Sequence, residues 1–236
     1  MAEHTDRPVA LITGASRGLG RALARTLAAR GFALVLDARG APDLDAVATE
    51  LRGWTEVIAV AGDVADAAHR RELATVVAEL GRLDLLVNNA SALGPSPQPA
   101  LADYPLAELA RVYQVNVFAP VGLIQLLLPA LTRAGGRIVN VSSDAAVEPY
   151  PGWGGYGSAK AALDQVTAIV AAERPDLKVY GFDPGDMRTD LHQQAFPGED
   201  ISDRPEPETV VPALLRLLDG DLPSGRYRVA DLAVPA

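Results

Sequence analysis

The sequence predicts an α/β fold: a doubly wound parallel sheet of about seven strands with helices on both faces, in a single domain over residues 1–236. Three observations predict it. Short apolar runs without polar alternation, such as residues 32–36, are what strands covered on both faces look like. Such runs alternate with helical patterns along the whole chain. No shift of composition, internal repeat or low-complexity stretch divides it.

Residues 9–13 read as the first strand, bounded by Pro8 and Gly14. The turn Thr13-Gly14-Ala15-Ser16-Arg17-Gly18-Leu19-Gly20 follows, then a helix to Arg30 capped by Gly31. Glycines there let the backbone turn tightly and approach a pyrophosphate, which the free N–H groups of a helix N-terminus favour. A second strand at 32–36 ends in Asp37-Ala38-Arg39. A helix over 43–52 leads to a third strand at 57–60 and to Gly62-Asp63-Val64. A helix over 67–80, stopped by Gly81, precedes a fourth strand at 83–87 and the segment Asn88-Asn89-Ala90-Ser91.

Residues 93–104, rich in Pro and Gly, read as a loop. Pro105 opens a helix over 105–128 that contains Asn116, and a fifth strand at 137–141 leads to Ser142-Ser143. A helix over 156–172 has Pro175 beyond it, and a sixth strand at 178–182 is closed by Asp183-Pro184-Gly185. A long polar loop at 186–207, a helix over 209–218 and a short strand at 227–230 complete the pattern. Ligands of such sheets bind at the carboxyl ends of the strands. The glycine turn, Asp63, the Asn88 segment, Ser143 and Pro184-Gly185 all follow strands, so they converge on one edge.

At that edge Tyr156 and Lys160 are four residues apart, which on a helix puts phenol and ammonium on one face. A cation held there lowers the phenol pKa, and a tuned tyrosine exchanges a proton near neutral pH. The net charge of −9 argues against a nucleic-acid binder. With no cysteine there is no disulfide, thiol nucleophile or zinc-thiolate site, which suits a cytoplasmic setting. The three histidines, His4, His69 and His192, are scattered, so no metal site is expected. The N-terminal stretch lacks the apolar run of a signal peptide, and the apolar run at 123–131 is too short to span a membrane.

These motifs, in this order over residues 7–232, resemble the short-chain dehydrogenase/reductase family. The resemblance implies a Rossmann-type fold and hydride transfer between a nicotinamide and a carbonyl or alcohol carbon. It gives Gly14, Ser16, Arg17, Gly18, Leu19 and Gly20 to the cofactor turn, Asp63 and Val64 to the adenine ring, and Asn89 and Ala90 to the sheet edge beside the cofactor. Pro184, Gly185 and Thr189 fall to the nicotinamide end. Tyr156 is implied as acid/base. Lys160 is implied to hold the nicotinamide ribose and lower the Tyr156 pKa. Ser143, thirteen residues before Tyr156, is implied to bind the substrate oxygen, and Asn116 to keep a water in a proton relay. Where the family has glycine after Asn-Asn-Ala, this chain has Ser91, and the helix after Lys160 ends early, near Arg174.

An acid at the end of the second strand takes the ribose hydroxyls of NAD, and a base takes the 2′-phosphate of NADP. Counting from Gly31 puts Ala38 at that position, with Asp37 on the opposite face. Arg39, supported by Arg17, then favours NADP, with NAD as the alternative. Leu93, Trp153, Met187, Leu191 and Phe196 are apolar candidates for the substrate pocket, and His192 reads as a surface residue. The expected partner is a small carbonyl or alcohol compound, and the family forms homodimers and homotetramers. Non-redox chemistry by the same Tyr–Lys pair (dehydration, isomerisation or cyclisation), or dinucleotide-dependent regulation, is the alternative.

Overall fold

The computed structural model describes residues 7–232. Its strands are β1 (Val9–Ile12), β2 (Ala33–Ala38), β3 (Val57–Ala61), β4 (Leu85–Asn88), β5 (Arg137–Val141), β6 (Lys178–Asp183) and β7 (Gly225–Arg228). They form one seven-stranded sheet in the order β3-β2-β1-β4-β5-β6-β7, every pair parallel. The winding direction reverses at β1, which lies between β2 and β4, and the crevice at that point is where such sheets take ligands.

The helices are α1 (Gly18–Ala29), α2 (Ala41–Leu51), α3 (Ala67–Leu80), α4 (Leu106–Tyr113), α5 (Ala119–Ala134), α6 (Gly154–Glu173), α7 (Asp190–Ala195) and α8 (Val211–Asp219). Strand residues alternate between two apolar layers. Ala10, Ile12, Leu34 and Leu36 pack with Leu23, Leu27, Leu44 and Leu214 of α1, α2 and α8. Val9, Leu11 and Val35 pack with Leu73, Leu123, Leu127 and Leu131 of α3 and α5. Each fully buried leucine contributes about 1.5–3 kcal/mol, so the two layers make the sheet a rigid base for the loops at its edge.

Four expectations are corrected. The helix expected over 105–128 runs from α4 through a π-turn at Gln114–Phe118 into α5 and reaches Ala134, where Gly135 caps it in the left-handed conformation. This continuous helix, Leu106–Ala134, has the length and hydropathy of a membrane span, but Leu123, Ile124, Leu127 and Leu131 face the core, which accounts for its apolarity. The polar loop at 186–207 contains α7, started by Thr189, whose hydroxyl accepts from His192 N at 3.2 Å. The last strand is β7, two residues earlier than expected, because Tyr180 to Asp183 of β6 register against Gly225 to Arg228. Helix α6 begins at Gly154 rather than Tyr156, and its first two glycines are closely packed: a Cβ would lie 2.8 Å from Leu101 Cδ1 at Gly154 and 2.4 Å from the Tyr104 ring at Gly155. As expected, α6 stops at Glu173, with Arg174 as its C-cap.

Candidate active site

The carboxyl ends of the strands enclose a cleft of about 700 Å³ that runs from Arg39 to Trp153. Its near end is made of backbone. Gly14 and Gly18 have φ of +65° and +55°, open to glycine at little cost. A Cβ on Gly20 would lie 2.4 Å from Gly14 O, so the turn closes only on a glycine there. Asn89 Nδ2 donates to Thr13 O at 2.8 Å and to Gly14 O at 3.1 Å, while Thr13 Oγ1 accepts from the backbone N–H groups of Asn89 and Ala90, each at 3.0 Å. The ends of β1 and β4 are thereby locked together. Ser16, Arg17, Leu19, Asp63 and Val64 also line this part of the cleft. Asp63 accepts from Ala65 N at 2.9 Å and pairs with Arg111. Partial burial pushes its carboxyl up, but Arg111, the Ala65 N–H and Arg39 outweigh this and hold it below the usual range.

At the tip of β2, Asp37, Ala38 and exposed Arg39 line the cleft. Asp37 is fully buried and accepts from His69 Nε2 at 2.6 Å. That bond raises the His69 pKa, and the ring lies where a Cβ on Gly62 would sit, 2.2 Å from Nδ1. Asp37 therefore serves as an internal partner, as the alternation along β2 implies.

At the far end a buried polar chain carries α6 to the sheet. Asn88 Nδ2 donates to Asn140 Oδ1, Asn140 Nδ2 to Thr167 Oγ1, and Thr167 Oγ1 to Leu163 O, each at 2.8 Å. Buried polar groups left unpaired are costly, so these bonds fix one seating of the helix. Tyr156 and Lys160, one turn apart on it, line the cleft and are 6% and 2% exposed.

Burial pushes the Tyr156 phenol up to about 12, against the pull of side-chain hydrogen bonds from Ser91 and Ser143. Burial also brings Lys160 down to about 8, with Asp164 opposing it. The Lys160 ammonium donates to Val141 O at 2.7 Å and lies 5.5 Å from the centre of the Tyr156 ring. Removal from water is the largest influence on both groups, and the Ser91 and Ser143 hydroxyls favour phenolate.

Ser143, not buried Ser142, offers its hydroxyl at the cleft; Ser143 Oγ donates to Asp144 Oδ1 at 2.9 Å. Asn116 lies in the π-turn and is 1% exposed. Its Oδ1 accepts from Ser91 Oγ at 3.1 Å and from Ala92 N at 2.9 Å, and its Nδ2 donates to Ala92 O at 2.8 Å. The Asn116 side chain thereby anchors residues 91 and 92.

Pro184 and Gly185 line the cleft, and Asp183 Oδ1 accepts from Gly185 N at 3.0 Å. The methyl of Thr189 comes within 3.5 Å of where a Cβ on Gly18 would be, and Arg17 bonds Asp190 at 2.7 Å, so the segment that begins α7 meets the glycine turn across the cleft. Leu93, Ala145 and Tyr156 form a small apolar cluster against which Trp153, Leu191 and Ala195 pack. Trp153 meets the Tyr156 ring edge-on at 5.8 Å and lies 6.0 Å from Phe196. Met187 reaches the cleft but packs mainly on the core layer of α1 and α8. His192 is a correction: it is 8% exposed, its ring tilted against Phe196 at 4.9 Å and 3.7 Å from Asp186, because α7 turns it inward.

Two residues escaped the sequence reading. Asp144 holds the Ser143 hydroxyl and accepts from Tyr150 Oη at 3.1 Å; its position after the serine was the only available signal. Arg226 of β7 donates to Ser143 O at 2.9 Å, Asp183 at 2.8 Å and Asp164 at 2.9 Å, tying three neighbouring segments together; nothing local in the sequence marks it.

The family model described as short chain dehydrogenase matches residues 8–200. The chain is 36% identical over 208 residues to the short chain dehydrogenase penD of Penicillium thymicola, covering 82% of this chain and 75% of that protein. It is 35% identical over 201 residues to the sepiapterin reductase of Mus musculus, covering 79% and 77%. Among solved structures, an alcohol dehydrogenase of the archaeon Thermococcus sibiricus, complexed with 5-hydroxy-NADP, superposes with a TM-score of 0.86 at 30% identity, covering 98% of this chain and 100% of that one. With the sheet order, the glycine turn and the tyrosine–lysine helix all in place, the chain belongs to the short-chain dehydrogenase/reductase family of oxidoreductases.

Proposed function

We propose that the protein is an NADP(H)-dependent reductase that interconverts a small carbonyl compound and its alcohol, with Tyr156 as proton donor. The observation that carries this reading is that Tyr156 and Lys160, one turn apart on α6, line the same cleft as Ser143 and the glycine turn. The cleft fits the cofactor. Gly14, Gly18 and Gly20 leave backbone where a pyrophosphate would need it. Ala38, not an acid, ends β2 at the cleft, and exposed Arg39 beside it suits a 2′-phosphate, while Arg17, also at the cleft, is paired with Asp190. The Thermococcus sibiricus enzyme, solved with an NADP derivative, supports the same choice.

When bound, the reduced nicotinamide supplies the hydride. Ser143 orients the substrate oxygen, and Tyr156 protonates it as charge develops there. A phenol held near 12 keeps its proton at neutral pH yet is far more acidic than an alcohol, so burial suits it to the reductive direction. Lys160, near 8, retains a charge through neutral pH that favours the anionic transition state. Leu93 and Trp153 give the substrate an apolar wall, with Met187 at its edge. Exposed Phe118 beside α5, Leu126 on α5 and Ile169 on α6 support a homodimer or homotetramer built on these helices.

Initial rates with NADPH and with NADH, at equal sub-saturating concentrations over a panel of ketones and aldehydes, test the reading. NADPH is expected to win. Faster turnover with NADH refutes the cofactor assignment, and cofactor binding without reduction of any carbonyl refutes the reaction.

A further inference from the structure

Ser91 stands where the family pattern has glycine, and it brings a second hydroxyl, beside that of Ser143, to the phenol. Its oxygen lines the cleft, donates to Asn116 Oδ1 at 3.1 Å and acts by hydrogen bonding on Tyr156. Its position is fixed from behind. Asn116 is buried, and its amide grips both the N–H and the C=O of the next residue, Ala92. Ser143 is the other hydroxyl that acts on the phenol. The Lys160 ammonium is directed at Val141 O, and the Ser143 hydroxyl at Asp144.

We propose that Ser91 is a positioning residue for proton transfer: its hydroxyl bridges Tyr156 and Asn116, and its O–H rotates from the amide oxygen to the phenol oxygen as Tyr156 loses its proton. The inference rests on the reductase reading above. In that step hydride adds to the carbonyl carbon, and the π electrons of the C=O bond move to oxygen. The oxygen takes the Tyr156 proton, and the phenol oxygen keeps the electron pair of its broken O–H bond. Ser91 keeps its own proton throughout and turns it toward the new phenolate. A serine hydroxyl can do so because it is one donor on a free rotor, with two lone pairs. Asn116 loses little when the donor leaves, since its oxygen still accepts from Ala92 N. The gain is larger, because a hydrogen bond to an ionised oxygen is roughly twice as strong as one between neutral groups. Glycine or alanine at 91 supplies no such donor.

The test compares wild type with Ser91→Ala and Ser91→Gly. It reads NADPH affinity by fluorescence, kcat for carbonyl reduction, and the pH profile of alcohol oxidation, where Tyr156 must act as base. Both variants should bind NADPH as wild type does and lose about tenfold in kcat. In both, the rising limb of the oxidation profile should move to higher pH, a shift that lost packing alone would not produce. Alanine fills the space of the serine side chain without its oxygen. An alanine variant with wild-type kcat and pH profile therefore overturns the proposal, whatever glycine does. Loss of NADPH affinity with an unmoved pH profile also overturns it, by making Ser91 structural only. If wild type binds NADPH and reduces no carbonyl, the reductase reading falls and takes this inference with it; if wild type turns over and Ser91→Ala matches it, only this inference falls.

Discussion

The two ends of the cleft are built from different material. The cofactor end is backbone: Gly14, Gly18 and Gly20 shape it, and the missing side chain of Gly20 is what lets the turn close on Gly14 O. The substrate end is side chain: Trp153 lies between Tyr156 and Phe196, Asp144 holds Ser143, and α7 turns His192 inward. A backbone site tolerates few residue types, so it writes itself into the sequence. A side-chain site is satisfied by many combinations, so two relatives can share the first end and differ in the second.

That contrast can be broken or sharpened by substitution, starting with the largest effect. Tyr156→Phe removes the proton donor without touching the backbone end. It should lower kcat by about 10²–10⁴-fold while NADPH affinity, followed by fluorescence titration, stays within a few-fold. Loss of NADPH binding in this variant would mean that the two ends are not separable. Next, Arg39→Ala should raise the KM for NADPH by about 10–100-fold, the range expected of a charge-assisted contact, and leave the KM for NADH unchanged. An equal rise for both cofactors would place Arg39 on something other than the phosphate.

The pH dependence probes the meeting point of the two ends. Lys160, brought down by burial to about 8, is charged below that pH and loses its proton above it. For the free enzyme, kcat/KM of carbonyl reduction should therefore be level through neutral pH and fall about tenfold per unit above pH 8, a fall that Tyr156, near 12, would not produce. A profile level to pH 10 would show that the lysine charge is not needed. The smallest effect is expected at the mouth. Trp153→Ala should shift KM values by about 10–200-fold at most, in different directions for small and bulky ketones, as pocket reshaping does. A uniform loss of kcat across the panel would show that Trp153 supports Tyr156 rather than selecting substrate.

The same contrast explains what was legible in the sequence. Strand positions and the glycine turn were readable because apolar runs and required glycines are local signals. The opposite placement of Asp37 and Ala38 followed from strand alternation alone. Helical spacing pointed to Tyr156 and Lys160, and the resemblance to the family added Ser143, but neither gave the balance of forces on them. That balance depends on burial, which comes from the packing of α6 on the sheet rather than from the i,i+4 interval. Arg226 and the bond between Ser91 and Asn116 were unreadable for another reason. Their partners are 83 and 25 residues away, and no local pattern encodes such pairings. His192 was misread because one short helical turn, unnoticed in a polar loop, decides which way it faces.

The π-turn at Gln114–Phe118 has a consequence for tolerance to insertion and deletion. It accommodates one residue more than a regular helix would in the same length, and Asn116 sits within it. Removing one residue there would let the segment relax into an ordinary helix with its hydrogen bonding intact. Because the extra residue is absorbed locally, α4 and α5 would keep their relative orientation, and only the side chains within the turn would be redirected. Asn116 would swing away from Ser91 and Ala92 while the far-ultraviolet circular dichroism stayed nearly the same. Such a deletion would spare the fold and misalign the site, whereas the same deletion in the regular turns of α4 or α5 would rotate one half of the helix by about 100° against the other.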